Sequence, residues 1–288
     1  MKKLSIYSIA ILGLGLLASC EKVVDIDLPA ADPVPYVDAW INDREEAQTI
    51  KVLKAVGYLS QSGPEPIANA QVSITDLTLN QTYPFSYANG SYTYDPGPGN
   101  RIGVVGHEYK LSITYNGELF EATDVLNRVC PVDSITIEYK EEETGNDEGY
   151  YATFYAQDLP GAQDYYWIRT YRNGSLNHNV TEMWAIDGSF YEDVSDGMNF
   201  ILPIREGITS GDHPYVQGDE VKVLIRSLSK PSYNFIRMVN DQLTNGGMFS
   251  RVLQNVPYNL KSNQAGSKNR IYGWFGTVAE SELAKKVE

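Results

Sequence analysis

Four turn signals constrain this chain more than any other feature of it. Asn89-Gly90, Asn116-Gly117, Asn173-Gly174 and Asp187-Gly188 each follow a short segment rich in β-branched and aromatic residues. A two-residue type I′ turn needs positive φ at both central positions, which Asn, Asp and Gly tolerate best, and it joins antiparallel neighbours. A chain that repeats this device is expected to build antiparallel sheets.

The segments between the turns agree. Tyr36 to Ile41, Thr49 to Val56, Ala70 to Thr75, Tyr109 to Tyr115 and Glu118 to Thr123 read as strands, with Ser91-Tyr92-Thr93-Tyr94 after Asn89-Gly90. Ala70-Gln71-Val72-Ser73-Ile74 and Tyr109-Lys110-Leu111-Ser112-Ile113 alternate apolar and polar residues with the period of a half-buried strand. A second β-region opens at Asp133 to Tyr139 and continues through Tyr150 to Gln157, Tyr165 to Arg172, Met183 to Ile186, Ser189 to Tyr191, Asn199 to Ile204 and Glu220 to Ser227. One helix is expected from Pro231 to about 245, where Phe235, Ile236, Val239 and Leu243 recur at helical spacing and Asn245-Gly246-Gly247 follows. Ile271 to Thr277 reads as a last strand returning to the second sheet, and the charged residues from Glu280 read as a frayed tail.

The expected fold is therefore mainly β, with two antiparallel β-sandwich-like domains in series and one C-terminal helix packed on the second. The first sandwich covers residues 36–129, the second domain 130–279, and the tail 280–288.

The N-terminus sets the compartment. Lys2 and Lys3 precede an apolar run from Ile6 to Leu17, which ends in Leu17-Ala18-Ser19-Cys20. This is the pattern of a bacterial signal peptide, residues 1–20, cut before a cysteine that is then acylated. The run is too short to span a hydrocarbon core of ~30 Å. Residues 21–35 read as a lipid-proximal tether, in which Asp25 and Asp27 alternate with Val24, Ile26 and Leu28. The mature chain is expected to sit on a membrane through lipid on Cys20. Without its leader the formal charge moves from −14 to −16, 21 basic against 37 acidic residues. Phosphate neutralisation needs a basic surface, so no nucleic-acid partner is expected.

Chemistry is sparse. Three histidines, His107, His178 and His213, stand at no close metal-binding spacing, and neither a metal nor another cofactor is expected. With Cys20 carrying lipid, Cys130 has no partner for a disulfide and reads as a small buried hydrophobe. No Gly-x-Ser-x-Gly elbow is present. Asp193 and Asp196 resemble a glycosidase pair no more than chance supplies among 37 acids. The acidic loop from Glu141 to Gly149 lacks the alternating ligand pattern of a calcium hand and reads as solvated. No catalytic residue is assigned.

Aromatic residues are the exception. There are 21 tyrosines, and Tyr165, Trp167, Tyr171, Trp184 and Tyr191 crowd the second β-region. Alternation places Tyr165, Trp167 and Tyr171 on one face and Tyr166 on the other. Such a face can fill a core or can grip a glycan or a peptide, and these five residues are the candidate ligand contacts.

Several segments, in order, resemble the Bacteroidota lipoproteins known as domain of unknown function 4249. They are Asp25-Ile26-Asp27-Leu28-Pro29, Asp38-Ala39-Trp40-Ile41, the run from Pro66 to Asp76, Gly90-Ser91-Tyr92, Pro131-Val132-Asp133-Ser134-Ile135 and Tyr272-Gly273-Trp274-Phe275-Gly276. Two positions depart: Ala39 stands where the family tends to Gly, and Cys130 where an apolar residue is usual. The resemblance implies an outer-membrane lipoprotein whose first domain is similar to transthyretin-like or peptidase-regulatory modules, and many such proteins are encoded beside TonB-dependent receptors. It carries over no catalytic residue.

The expectation that follows is a non-enzymatic outer-membrane lipoprotein, facing the cell exterior, that assists a TonB-dependent receptor in nutrient uptake. The alternative is a surface lipoprotein that binds glycan or peptide by itself, and a hydrolase stands last.

Overall fold

The computed structural model describes residues 33–56, 62–192, 195–245 and 254–288. The signal peptide, Cys20, most of the tether and Asp193 lie outside them.

The first half is β1 (Pro35–Asn42), β2 (Gln48–Lys54), β3 (Glu65–Pro66), β4 (Gln71–Asp76), β5 (Gln81–Ala88), β6 (Ser91–Tyr94), β7 (Glu108–Tyr115) and β8 (Glu118–Val125). Then come β9 (Ser134–Lys140), β10 (Gly149–Tyr155), β11 (Tyr165–Arg172), β12 (Ser175–Leu176), β13 (Met183–Ile186), α1 (Leu202–Glu206), β14 (Glu220–Leu228) and α2 (Lys230–Thr244). The chain closes with β15 (Lys261–Ser262), β16 (Tyr272–Val278) and β17 (Glu280–Lys286). The molecule is mainly β, as the turn signals require. Asn89, Asn116, Asn173 and Asp187 all take positive φ, each followed by a positive-φ glycine.

One sheet runs in the order β15-β8-β7-β4-β5-β6-β2-β1-β16, with β3 beside β2. It curls at β5, whose first half pairs with β4 and whose second half pairs with β6. The curl encloses a core of alternating inward residues that includes Val37, Ile50, Ile74, Phe85, Leu111 and Phe120. A second sheet, β12-β11-β14-β17 with β13 also beside β11, packs one face against the β9-β10 hairpin. Tyr166, Ile168, Val223 and Ile225 meet Phe154 and Phe200 there, and fully buried Cys130 joins them.

Three expectations change. Tyr272–Val278 does not return to the second sheet; it pairs in parallel with β1, Asp38 opposite Trp274 and Trp40 opposite Gly276. With β15 on β8, the C-terminal stretch thus crosses a boundary drawn at residue 129, and Pro33–Glu288 forms one compact unit. The tail does not fray. β17 pairs along β14 from Glu280 opposite Arg226 to Lys286 opposite Glu220, and Val287 is buried beyond it. Asn199 to Ile204 and Ser189 to Tyr191 are not strands either. Phe200 makes a single backbone contact to Ala156, Pro203 opens the short helix α1, and 189–191 belong to the turn after β13.

The long helix stands where its periodicity places it. Ser229 caps it by accepting from the Ser232 amide, and Pro231 occupies the first turn, where a missing N–H costs nothing. Tyr233 and Ile236 pack on Tyr165, Ile186 and Leu228 of the second sheet and on Val278 of β16. Phe235 stacks on Trp274 at 4.5 Å, so the helix touches both sheets.

Candidate functional site

The β9-β10 hairpin covers one face of the second sheet, and α2 covers one end of the other face. What remains of that outer face carries the candidate aromatic residues. Along β11 the period of two sends Tyr166, Ile168 and Thr170 into the core and leaves Trp167, Arg169 and Tyr171 half-buried outside. Antiparallel register sets Trp167 beside Arg226 and Tyr171 beside Lys222 of β14, and sets Trp184 of β13 beside Trp167.

Cations cover the rings. The Arg169 guanidinium lies 4.9 Å from the Trp167 ring centroid and 5.9 Å from that of Tyr171. Lys222 Nζ stands 4.7 Å from Tyr171, and the Arg226 guanidinium 5.3 Å from Trp167. Each contact contributes ~0.5–1 kcal/mol where water still has access. Trp40 of β1 reaches across to Trp167 with centroids 6.0 Å apart.

Carboxylates hold these cations in place. Glu182 accepts from Trp167 Nε1 at 2.8 Å and from Arg169 Nε at 3.0 Å. Glu280 accepts from Arg226 Nε at 2.7 Å and from Arg44 Nε at 3.3 Å. Glu282 stands 3.6 Å from Arg44 and 3.4 Å from Lys222. Arg44, Arg169, Lys222 and Arg226 thus meet Glu182, Glu280 and Glu282, with Asp43 beside them accepting from the Glu280 amide, so the cations over the rings are matched by acids.

Of the five expected contacts, Trp167, Tyr171 and Trp184 share this face. Tyr165 is 6% exposed and packs on Tyr233 of α2 with centroids 5.1 Å apart, so its ring belongs to the core; burial raises its hydroxyl pKa. Tyr191 is 74% exposed in the turn after β13. Beside Trp184 a cavity of about 210 Å³ opens between β13 and α2, lined by Glu182, Met183, Trp184, Phe190, Tyr233 and Arg237.

Asp196 and Asp164 hold neighbouring loops. Asp196 accepts the Gly161 amide at 2.9 Å, and its suspected partner Asp193 lies outside the described residues. Asp164 takes a two-point contact from Arg128, which also donates to the carbonyls of Leu159 and Pro160. Burial raises the Asp164 pKa despite that arginine. Burial also pushes the Cys130 thiol up to about 12, far from a thiolate nucleophile. His107 pairs with Asp76, at the end of β4, at 2.8 Å. Among the described residues no group of three or more His, Cys, Asp or Glu is placed to hold a metal ion.

Sequence reasoning found the rings and missed the cations, although their signal was the same alternation: Trp167-x-Arg169-x-Tyr171 on β11 and Lys222-x-Leu224-x-Arg226 on β14. Glu280 and Glu282 were hidden by reading their strand as a tail.

Fold and face together define a β-rich protein that presents an aromatic, cation-covered sheet surface. The family described as Domain of unknown function (DUF4249) matches residues 21–284, and the chain belongs to it. No curated protein matches the chain.

Proposed function

We propose that this chain is a non-enzymatic lipoprotein of the outer membrane, held by lipid on Cys20 and facing the cell exterior, that assists a TonB-dependent receptor in nutrient uptake. The cation-covered face of β11, β13 and β14 is its docking surface. One observation carries the choice of a protein partner over a sugar. A sugar stacks on a bare ring, and here Arg169, Arg226 and Lys222 already lie over Trp167 and Tyr171. Rings overlaid by arginine suit a protein interface, where aromatic and Arg side chains are the commonest anchors. The leader and the lipobox support the anchor.

A second reading rests on the cavity beside Trp184. No cation is stacked on that ring among the described residues, and Phe190 at its rim is 43% exposed. A small glycan or peptide group would fit there, and the protein would then bind ligand by itself.

Affinity isolation of the tagged protein from its native membrane separates the readings. With the wild type a TonB-dependent receptor is recovered, and with Cys20→Ala it is lost. Recovery of the lipoprotein alone in both cases contradicts the receptor partnership and moves the weight to the cavity.

A further inference from the structure

The stretch from Lys261 to Arg270 carries three cations, Lys261, Lys268 and Arg270, with no acid among ten residues, on a molecule of net charge −14. All three are exposed, and none makes an ion pair among the described residues. Glu121, the cross-strand neighbour of Lys261, is taken by Lys110 at 2.9 Å.

This loop is built rather than loose. Glu118, 4% exposed, accepts from the side chains of Ser262 and Asn269, the latter at 2.5 Å. Arg270 donates to the carbonyls of Ser267 and Asn269, both at 2.9 Å, and the Asn263 amide reaches Leu119 O at 3.0 Å. The loop therefore keeps its shape, and Arg270 its place, without a ligand.

Their position gives the partner. A cavity of about 360 Å³ is lined by Lys268, Asn269 and Arg270 and by Pro33, Val34 and Pro35, where the described residues begin, with the hydrogen-bonded Glu118 the one acid in its wall. A second, of about 380 Å³, lies beyond Asn269 and Arg270 and includes Lys261. Pro33 is thirteen residues past Cys20, a stretch that reaches at most ~45 Å fully extended.

We infer that loop 261–270 is the surface this protein turns to the membrane, where its three cations meet the phosphates of anionic lipid headgroups; this rests on the lipid anchor proposed above. An anionic surface repels an acidic body and attracts it at a patch of unpaired cations, whereas the cations over the rings of the second sheet are paired with carboxylates. The loop thereby sets the orientation of the molecule and leaves the aromatic face of the second sheet for a partner.

The full chain, incorporated into vesicles, is treated with a lysine acylating reagent, and modification is read by mass spectrometry at each lysine. In vesicles containing phosphatidylglycerol at low salt, Lys261 and Lys268 are expected to react about 5-fold more slowly than in phosphatidylcholine vesicles, with the difference lost at high salt as the charges are screened. Lys230 and Lys286 serve as references and are expected to react alike in both. Equal reactivity of Lys261 and Lys268 in the two vesicles overturns the inference. So does equal protection by inorganic phosphate added to phosphatidylcholine vesicles, which marks a site for free anions instead. The intact mass of the same sample reports the acyl group on Cys20, so a failure of the anchor is read apart from a failure of the loop.

Discussion

At the scale of single residues, the tyrosines do more than fill space. Tyr92 Oη donates to Ile67 O at 2.8 Å and accepts the Ala70 amide at 2.9 Å, which pins the approach to β4. Tyr109 does the same for Ile102 O and the Val104 amide, and Tyr215 for Ile208 O and the Asn177 side chain. Removing the hydroxyl leaves buried backbone groups without a partner, at ~1–3 kcal/mol each. Tyr92→Phe is expected to lower the free energy of unfolding, read from urea titration, by that amount, while Tyr191→Phe, at a 74% exposed position, leaves it unchanged. Asp124 gives a pH test. It is 9% exposed, and burial raises its pKa although Ser229, Ser232 and the Thr277 amide donate to it. Above the ordinary carboxylate value of ~4 the unfolded chain has released this proton while the folded chain still holds it. The contribution to stability is therefore full below that value and is lost as pH rises through the folded pKa. The stability of Asp124→Asn relative to the wild type is expected to increase from pH 4 to pH 7, and parallel urea midpoints across that range would contradict this. These roles were not legible in the sequence, which shows that a tyrosine is large but not where its hydroxyl ends.

At the scale of elements, the parallel pair β1-β16 joins two segments some 230 residues apart in the chain. It explains both glycines of Tyr272-Gly273-Trp274-Phe275-Gly276. A Cβ on Gly276 would lie 2.2 Å from the Trp40 ring, and one on Gly273, whose φ is +92°, would lie 1.9 Å from the Val37 carbonyl oxygen. A ring can shift but a paired backbone cannot. Gly276→Ala is expected to cost ~1–3 kcal/mol, part of it recovered with Trp40→Leu, and Gly273→Ala to cost more with no rescue by that change; a double-mutant cycle in urea checks this. The hairpins were legible because Asn-Gly and Asp-Gly act within four residues. The destination of β16 was not, since a strand pattern names a face and no neighbour. β5 was missed because Pro84 interrupts its pattern, yet it is tolerated as an exposed residue opposite Ser73. β17 was missed because five of its seven residues are Glu, Lys or Ser, and those charges turn out to serve the outer face through Glu280 and Glu282.

At the scale of the whole molecule, charge is distributed unevenly on an acidic body. Among the described residues, unpaired cations lie beside Pro33, and cations paired with carboxylates cover the rings of the second sheet. In the proposals above the first orients the protein and the second meets a partner. This separation depends on distant segments, Arg44 with β17 and Asn269 with Glu118, so composition alone suggested only an acidic, soluble exterior. A photo-crosslinking amino acid at Tyr171, with a second strain carrying it at Tyr139, tests the docking face in the native membrane. Tyr139 is 56% exposed on the β9-β10 hairpin, on the opposite side of the second sheet from Tyr171. The account predicts an adduct with a TonB-dependent receptor from position 171 and none from 139. No adduct from 171, or the same adduct from both positions, would contradict it.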